Sequence, residues 1–254
     1  MKVSVAAGET LDKIAGGRIK LLQKAKGYRF SLEVLLLSHF VSLRPGEQVL
    51  EMGTGSGIIS LILAQRCDGI KITGIDIQEE LVNMAGRSVA INGLSERISI
   101  RTTDVRNIKD VFSPCSFETV VSNPPYRKVN SGRINPDKER ALARHELNGG
   151  VGDFLQAGAY VLKSAGRAYF IYTATRIVEL LSSMRRVHIE PKRLRIVYSN
   201  DKESGKFVLV EGVREGGEEL EVMPPLFIYD GKGEYTEEMK DIFKEISSPC
   251  SFAR

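Results

Sequence analysis

The sequence has few of the features that mark secreted, metal-binding or membrane proteins. Only three cysteines occur in 254 residues, Cys67, Cys115 and Cys250, and no two of them form a Cys-x-x-Cys pair. This spacing suggests neither a disulfide framework nor a zinc site, so we expect a cytoplasmic protein with no metal. No apolar run approaches the roughly 20 residues that span a bilayer, and the N-terminus lacks a signal-peptide pattern. We therefore expect no membrane partner.

The net charge is also small. It is +4, from 36 Lys and Arg against 32 Asp and Glu. Lys and Arg are concentrated in residues 1–46, whereas acidic residues prevail from residue 211 onward. This asymmetry permits a nucleic-acid partner without requiring one, and the composition leaves the oligomeric state open.

From residue 47 the chain alternates apolar strands with helical stretches, which is typical of a parallel sheet built from βα units. The pattern predicts an α/β fold with a doubly wound, mostly parallel sheet. Two segments, 194–198 and 207–213, are predicted to pair as an antiparallel hairpin at the sheet edge. Strands of the parallel part are expected at 48–51, 70–75, 98–101, 118–122 and 168–172, with helices at 58–65, 79–91 and 153–162.

The length and the apolar content of 42% predict a single domain, residues 1–254. We expect residues 1–46 to form an N-terminal cap over the ligand edge of the sheet, including a helix that Ser31 caps. Residues 47–172 are expected to form the core. Residues 173–254 are expected to add a helix and the antiparallel edge strands. The polar, basic stretch 127–144 is long enough to be a functional or mobile loop.

Glycines follow the first core strand in GxGxG spacing. Glu51 precedes Gly53, Gly55 and Gly57, and glycine allows a ligand to approach the backbone closely. The spacing differs from the GxGxxG dinucleotide fingerprint, and glycines alone can also mark a purely structural turn. The next strand ends at Asp76, where an acid can accept hydrogen bonds from both ribose hydroxyls of a nucleoside.

An acid, Asp104, follows the third strand in the same way. It is placed to meet an adenine amino group, or else to cap a turn. The carboxyl ends of successive strands meet at one edge of an open α/β sheet, and ligands bind at that edge. The pattern therefore predicts a nucleoside site there.

The fourth strand ends in the tetrapeptide Asn123-Pro124-Pro125-Tyr126. A conjugated nitrogen, such as the exocyclic amine of a purine or a carboxamide, is a poor nucleophile because its lone pair is delocalised. The Asn123 side-chain carbonyl and the Pro124 backbone carbonyl can accept its two N–H groups and so expose that lone pair. Tyr126 offers an aromatic face for stacking a base. A rigid turn without chemistry is the alternative interpretation.

Together these motifs resemble the class I (Rossmann-like) methyltransferases that methylate nitrogen, which implies S-adenosylmethionine as cofactor and a seven-stranded sheet. Further segments are similar to those of the bacterial tRNA adenine N6-methyltransferases that modify adenine 37 of a valine tRNA. These segments are Gly27-Tyr28-Arg29-Phe30-Ser31, Ala143-Arg144-His145-Glu146, Pro224-Pro225-Leu226 and Ile228-Tyr229-Asp230.

This resemblance implies roles for two sets of residues. The catalytic set would be Asn123, Pro124, Pro125 and Tyr126. The set that binds S-adenosylmethionine would be Tyr28, Arg29, Phe30, Ser31, Glu51, Gly53, Thr54, Gly55, Gly57, Asp76, Ile77, Asp104, Val105 and Asn123. Met52 departs conservatively from the leucine or valine usual in that turn, and His145 receives no catalytic role.

We therefore predict methyl transfer from S-adenosylmethionine to N6 of an adenine in RNA, adenine 37 of a valine tRNA, with the anticodon loop as the partner. One alternative is a protein glutamine N-methyltransferase of the release-factor type, which resembles this chain in the same tetrapeptide. Such enzymes usually carry a helical N-terminal domain, for which the residues before the first core strand are too few. Another alternative is an RNA-interaction module that binds the cofactor without activity. DNA adenine methylation is a further possibility, but the sequence has no segment large enough for a dedicated target-recognition domain. A nicotinamide oxidoreductase would need a different glycine spacing.

Overall fold

The computed structural model describes residues 5–26, 29–126 and 150–247. The loop predicted at 127–144, together with Tyr28, His145 and Cys250, lies outside these ranges. The described strands are β1 (Glu9–Ile14), β2 (Ile19–Lys24), β3 (Gln48–Met52), β4 (Lys71–Asp76), β5 (Ile98–Thr102), β6 (Phe117–Ser122), β7 (Leu162–Thr173), β8 (Ile189–Tyr198), β9 (Gly205–Arg214), β10 (Glu221–Val222) and β11 (Leu226–Phe227).

The described helices are α1 (Leu32–Phe40), α2 (Ile58–Arg66), α3 (Glu79–Ile91), α4 (Val151–Val161), α5 (Ile177–Arg186) and α6 (Glu237–Ser247). The described residues also form two short 3-10 helices, Val105–Asp110 and Ala174–Arg176. Within these ranges, each helix is too short or too polar to cross a bilayer.

A nine-stranded sheet organises the chain in the order β10-β8-β9-β7-β6-β3-β4-β5, with β11 also paired to β8. Strands β3 to β7 pair in parallel, and β9 runs antiparallel to both β7 and β8. The prediction of a mostly parallel sheet with an antiparallel hairpin is confirmed. Seven strands of this sheet are longer than two residues, and the two-residue strands β10 and β11 extend its edge by pairing parallel to β8.

Helices cover both faces of the sheet, so it is doubly wound as expected. Alternate residues of one strand enter opposite apolar layers, as the pleat requires: Val121 joins the layer with α1, α2 and α6, whereas Val120 joins the layer with α4 and α5. The two layers fix the strands from both sides. The carboxyl ends of β3, β4, β5 and β6 therefore lie at a single, well-anchored edge.

An N-terminal hairpin, β1 and β2, was not expected. It pairs antiparallel and packs on α3, where Leu22 meets Leu81 and Met84. The backbone N–H of Leu22 also donates a 3.0 Å hydrogen bond to Oγ of Ser88. The hairpin thus covers the outer surface of α3. Among the described residues of the N-terminal segment, Phe30 and Val34 reach the ligand edge.

Helix α1 begins where the sequence indicated, with Ser31 at the N-cap position. The Ser31 side chain makes no capping hydrogen bond. The predicted position of the N-cap residue is therefore correct, whereas the predicted capping by its side chain is wrong. The backbone N–H of Phe30 instead donates to Oε1 of Gln23 in β2, at 3.0 Å. The entry to α1 is therefore fixed by the hairpin.

Candidate active site

A cleft opens at the carboxyl ends of β3, β4, β5 and β6. It is bordered by the start of α1, by α2 and α3, and by α4 from across the sheet. Its lining includes ten of the residues expected to bind the cofactor, namely Phe30, Glu51, Gly53, Thr54, Gly55, Asp76, Ile77, Asp104, Val105 and Asn123. Pro125, from the expected catalytic set, lines it too.

The glycine turn between β3 and α2 requires left-handed backbone angles. The φ angles of Gly53, Gly55 and Gly57 are +74°, +53° and +80°, a region that side chains disfavour. The backbone N–H groups of Gly53 and Thr54 both donate to the carbonyl oxygen of Ile75 at 2.9 Å. The turn is thereby tied to the end of β4, and its outer backbone forms one wall of the cleft.

Asp76 connects the glycine turn to the start of α3. Its Oδ2 accepts a 2.9 Å hydrogen bond from the backbone N–H of Gly55, and its Oδ1 accepts one of 2.9 Å from that of Gln78. Burial raises the pKa of Asp76 above its usual range, while these backbone hydrogen bonds oppose the shift. The contact to Gln78, the N-cap residue of α3, shows that Asp76 also supports the start of that helix.

Glu51 lies deeper, fully buried at the base of the turn. Its Oε2 accepts hydrogen bonds from the backbone N–H and the hydroxyl of Ser60, the former at 3.0 Å. Its Oε1 is buried with no hydrogen-bond partner of good geometry among the described residues. Burial raises the pKa of Glu51 to about 7, against the lowering effects of Ser60 and of the nearby Thr54 hydroxyl, which makes no hydrogen bond of good geometry with it. An unpaired buried carboxyl oxygen at a cleft is an acceptor for a ligand donor.

Asp104 borders the far end of the cleft. It accepts a 2.9 Å hydrogen bond from the backbone N–H of Arg106 and forms an ion pair with the Arg106 side chain. The hydrogen bond from Arg106 lowers the pKa of Asp104. The structural role considered for Asp104 is therefore real, because it caps the 3-10 helix at Val105–Asp110. Its carboxylate stays ionised beside the cleft.

The tetrapeptide leaves the sheet directly beside this cleft. Ser122, the last residue of β6, donates a 2.8 Å hydrogen bond from its hydroxyl to the carbonyl oxygen of Met52. That bond links the ends of β6 and β3, so Asn123 begins from a fixed point next to the glycine turn. Asn123 and Pro125 line the cleft.

The charged side chains in the lining are all acidic. They are Glu51, Asp76 and Asp104, and the described lining contains no Lys, Arg or His. Such a cleft favours a cationic ligand and disfavours phosphate groups. Within residues 5–26, 29–126 and 150–247, no three His, Cys, Asp or Glu side chains are grouped to hold a metal ion.

Comparison with known proteins shows which family the chain belongs to. A family model described as "Methyltransferase small domain" matches residues 33–141. A tRNA1(Val) (adenine(37)-N6)-methyltransferase from Phocaeicola vulgatus is 30% identical over 178 residues, which cover 65% of this chain and 74% of that protein. A protein of the same name from Vibrio campbellii is 27% identical, covering 86% of this chain and 88% of its own. The chain belongs to the tRNA1(Val) (adenine(37)-N6)-methyltransferase family.

The fold of this family member is shared more widely. A crystal structure of a predicted O-methyltransferase from Agrobacterium tumefaciens matches 87% of this chain and 99% of its own, with a TM-score of 0.68. The identity is only 17%, so the match concerns the fold alone.

Some expected site residues of this methyltransferase lie elsewhere in the structure. Arg29 is directed to the hairpin, where it donates to Thr10 Oγ1 at 3.1 Å and pairs with Asp12. Gly57 is the N-cap residue of α2 and is absent from the described lining, as is Ser31. The lining also lacks Pro124, which is buried, and Tyr126, which is half-buried. Tyr28 is outside the described residues.

The methyltransferase cleft also contains residues that sequence reasoning missed. Phe154 of α4 lies against the glycine turn: a Cβ at Gly53 would sit 3.5 Å from its ring. No local pattern indicates this contact, because the chain reaches α4 only after a long intervening segment. The others follow or flank recognised motifs, so the strand-end rule could have found them. They are Ser56, Ile58, Ile59, Ile75, Gln78, Leu81 and Thr103. Val34 of α1 also lines the cleft, three residues after Ser31 of the recognised N-terminal segment.

Proposed function

We propose that this protein transfers a methyl group from S-adenosylmethionine to the exocyclic N6 of adenine 37 in a valine tRNA. The observation that carries the proposal is the position of Asn123, at the end of β6 and in the lining of an acid-lined cleft. Membership of the family supports the substrate. We further propose that the described ranges act as one domain, and that the tRNA substrate sets a cytoplasmic location.

The residues of the cleft fit S-adenosylmethionine. When bound, this cofactor supplies an electrophilic methyl group on a sulfonium, and it also carries an ammonium group and a ribose. Asp76 is positioned at a strand end to accept hydrogen bonds from ribose hydroxyls, since each of its oxygens has lone-pair capacity beyond one backbone N–H. The unpaired Oε1 of Glu51 offers an acceptor for a cationic donor. Apolar side chains, among them Phe30 and Phe154, also line the cleft.

The chemistry required of this chain is activation of a conjugated amine. The side-chain oxygen of Asn123 accepts one N–H of that amine, and the backbone carbonyl of Pro124 is proposed to accept the other. Both hydrogen bonds strengthen as positive charge develops on the nitrogen, so they stabilise the transition state more than the bound substrate. The prolines restrict the backbone at this point and so reduce the entropy lost on ordering it.

One rival function is less consistent with the cleft, and the other is disfavoured by family membership. A nicotinamide cofactor would bring a pyrophosphate into a cleft whose charged lining residues are all acidic. A protein glutamine N-methyltransferase poses the same lone-pair problem and is compatible with Asn123. Family membership favours the adenine over the glutamine.

The test is an incubation of the protein with S-adenosylmethionine and unmodified tRNA, followed by nuclease digestion and mass spectrometry of the nucleosides and mapped fragments. We expect N6-methyladenosine at position 37 of the valine tRNA and none in a transcript with guanine at that position. Methylation of glutamine in a parallel protein pool, with no RNA product, would transfer the assignment to the release-factor type.

A further inference from the structure

An arginine that the sequence analysis did not single out holds the far end of the tetrapeptide. Nη1 of Arg176 donates a 2.9 Å hydrogen bond to the backbone carbonyl oxygen of Tyr126. Arg176 ends the 3-10 helix that follows β7, and β7 pairs directly with β6. It therefore reaches the tetrapeptide from the neighbouring strand end.

The Arg176 side chain is itself held rigidly. Its Nε and Nη2 donate to the two carboxylate oxygens of Glu179, each at 2.6 Å. Its guanidinium carbon lies 5.1 Å from the ring centroid of Tyr172, in a cation–π arrangement. Only 14% of the side chain is exposed. The guanidinium is thus fixed before any substrate arrives, and its third nitrogen is aimed at Tyr126.

The tetrapeptide needs an anchor of this kind. Pro124 and Pro125 have no N–H, so this segment cannot continue the donor pattern of a strand. Its near end is fixed by β6 and by the hydrogen bond from Ser122 to Met52. A charged donor on the Tyr126 carbonyl fixes its far end. With both ends held, the Asn123 side chain and the Pro124 carbonyl keep a constant separation, which the two-acceptor mechanism requires.

We propose that Arg176 is a positioning residue for methyl transfer: clamped by Glu179 and Tyr172, it sets the geometry of Asn123–Tyr126 without contacting the cofactor. The inference builds on the proposed function, because it assigns a purpose to the tetrapeptide that Arg176 holds. Arg176 is absent from the cleft lining, so its effect is on the chemical step and not on cofactor binding.

The test compares Arg176→Lys, Arg176→Ala and Glu179→Gln with the wild type in single-turnover methylation of tRNA. Lysine keeps the charge and lacks the fork that meets Glu179 and Tyr126 together, so Arg176→Lys should slow methyl transfer about tenfold or more. Arg176→Ala should slow methyl transfer further, and the rate of Glu179→Gln should lie between those of Arg176→Lys and the wild type. The affinity for S-adenosylhomocysteine should stay within about twofold in all three.

A matched control is Arg185→Ala in helix α5, which begins directly after Arg176. Arg185 also makes ion pairs, with Glu190 and Glu218, and does not contact the tetrapeptide. It should retain the wild-type rate. If all arginine losses lower the melting temperature but leave the rate of the folded protein unchanged, Arg176 is only structural and the proposal is wrong.

A direct phosphate contact by Arg176 predicts a different result. The KM for tRNA and its salt dependence would then change while kcat stayed constant, and this outcome overturns the positioning role. The proposed function can fail separately. If the wild type methylates glutamine and not tRNA, the same variants are measured on that product. A lowered rate there still supports the positioning role, and an unchanged rate contradicts it.

Discussion

The backbone N–H of Gly55 donates a 2.9 Å hydrogen bond to Oδ2 of Asp76, joining the glycine turn after β3 to the end of β4. One carboxylate therefore organises the turn and also faces the cleft. Asp76→Ala should weaken S-adenosylmethionine binding by about tenfold or more, because charge-assisted contacts to the ribose are lost. Calorimetry on the folded variant checks this. Asp76→Asn keeps the size of the side chain, so its affinity for S-adenosylmethionine should fall less than that of Asp76→Ala. Unchanged affinity in both variants would exclude the ribose role.

Glu51 should make the cofactor-free protein less stable as the pH rises. Burial raises its pKa to about 7 from an ordinary 4.5, so between these values the folded state holds a proton that the unfolded chain has released. The free energy of unfolding then falls with rising pH and levels off above about 7. The raised pKa of Asp76 acts in the same direction. Glu51→Gln should therefore reduce the drop in melting temperature from pH 5 to pH 8.

The same variant separates binding from stability. A cationic ligand favours the ionised Glu51 carboxylate, so the affinity for S-adenosylmethionine should increase as the pH rises through about 7. In Glu51→Gln this increase should shrink. Equal pH profiles of affinity in the two proteins would mean that Glu51 does not meet the ligand.

Asn123 should matter for the rate and not for cofactor binding. We expect Asn123→Ala to reduce the single-turnover rate by about 100-fold or more, because the lost hydrogen bond strengthens mainly in the transition state. The affinity for S-adenosylmethionine should remain near the wild-type value. A variant that methylates at the normal rate would show that Asn123 only shapes the turn.

Much of the fold could be predicted because the core strands are short apolar runs with clear glycine and proline boundaries. The hairpin β1–β2 could not, because β2 buries Leu21, Leu22 and Gln23 in succession and so loses the alternation that marks a strand. That burial depends on α3, which lies far along the chain. The tertiary contact, and not the local pattern, determines the structure there.

The site shows the same division. The placement of Asp76 and Asp104 at the cleft could be predicted, because the order of strands along the chain brings the strand ends to one edge of the sheet. The contacts of Phe154 with Gly53 and of Arg176 with Tyr126 could not be predicted, because the two residues of each pair are far apart in the sequence and no motif links them. Arg29 belongs to a motif and yet pairs with Asp12, because the hairpin that holds Asp12 was itself not predicted.

Gly57 should prove to be a structural residue. Its φ is +80°, and a Cβ there would lie 3.1 Å from Cβ of Ala85 in α3. Gly57→Ala should therefore destabilise the protein by about 1–2 kcal/mol while the folded fraction still binds the cofactor. Gly86→Ala on α3 is a suitable control, because outside the local helix backbone no atom lies within 4 Å of the added Cβ and its φ is not left-handed. It should be neutral or slightly stabilising. Thermal melts of both variants decide this.

The basic residues of the hairpin are not equally placed to meet RNA. Lys24, at the end of β2, pairs with Glu80 in the first turn of α3, near the ligand edge. The backbone of Lys20 instead bonds to Asn92, at the other end of α3. An α-helix rises 1.5 Å per residue, so these two points are about 18 Å apart along α3. The exposed Lys26 follows Lys24 and belongs to the end near the cleft.

If RNA lies across the cleft, Lys26→Ala should weaken tRNA binding, whereas Lys20→Ala, at a lysine that is also exposed, should not. A lysine that neutralises one phosphate contributes up to about 1 to the slope of log K against log salt. The slope should therefore become shallower by up to that amount in Lys26→Ala alone, with S-adenosylmethionine affinity unchanged in both variants. Filter binding across a salt series measures it. If RNA docks across the cleft, Lys26 must contribute more to tRNA affinity than Lys20, because only Lys26 lies at the end of the hairpin near the cleft. Equal losses of tRNA affinity in the two variants would therefore mean that the whole hairpin attracts RNA without regard to the cleft.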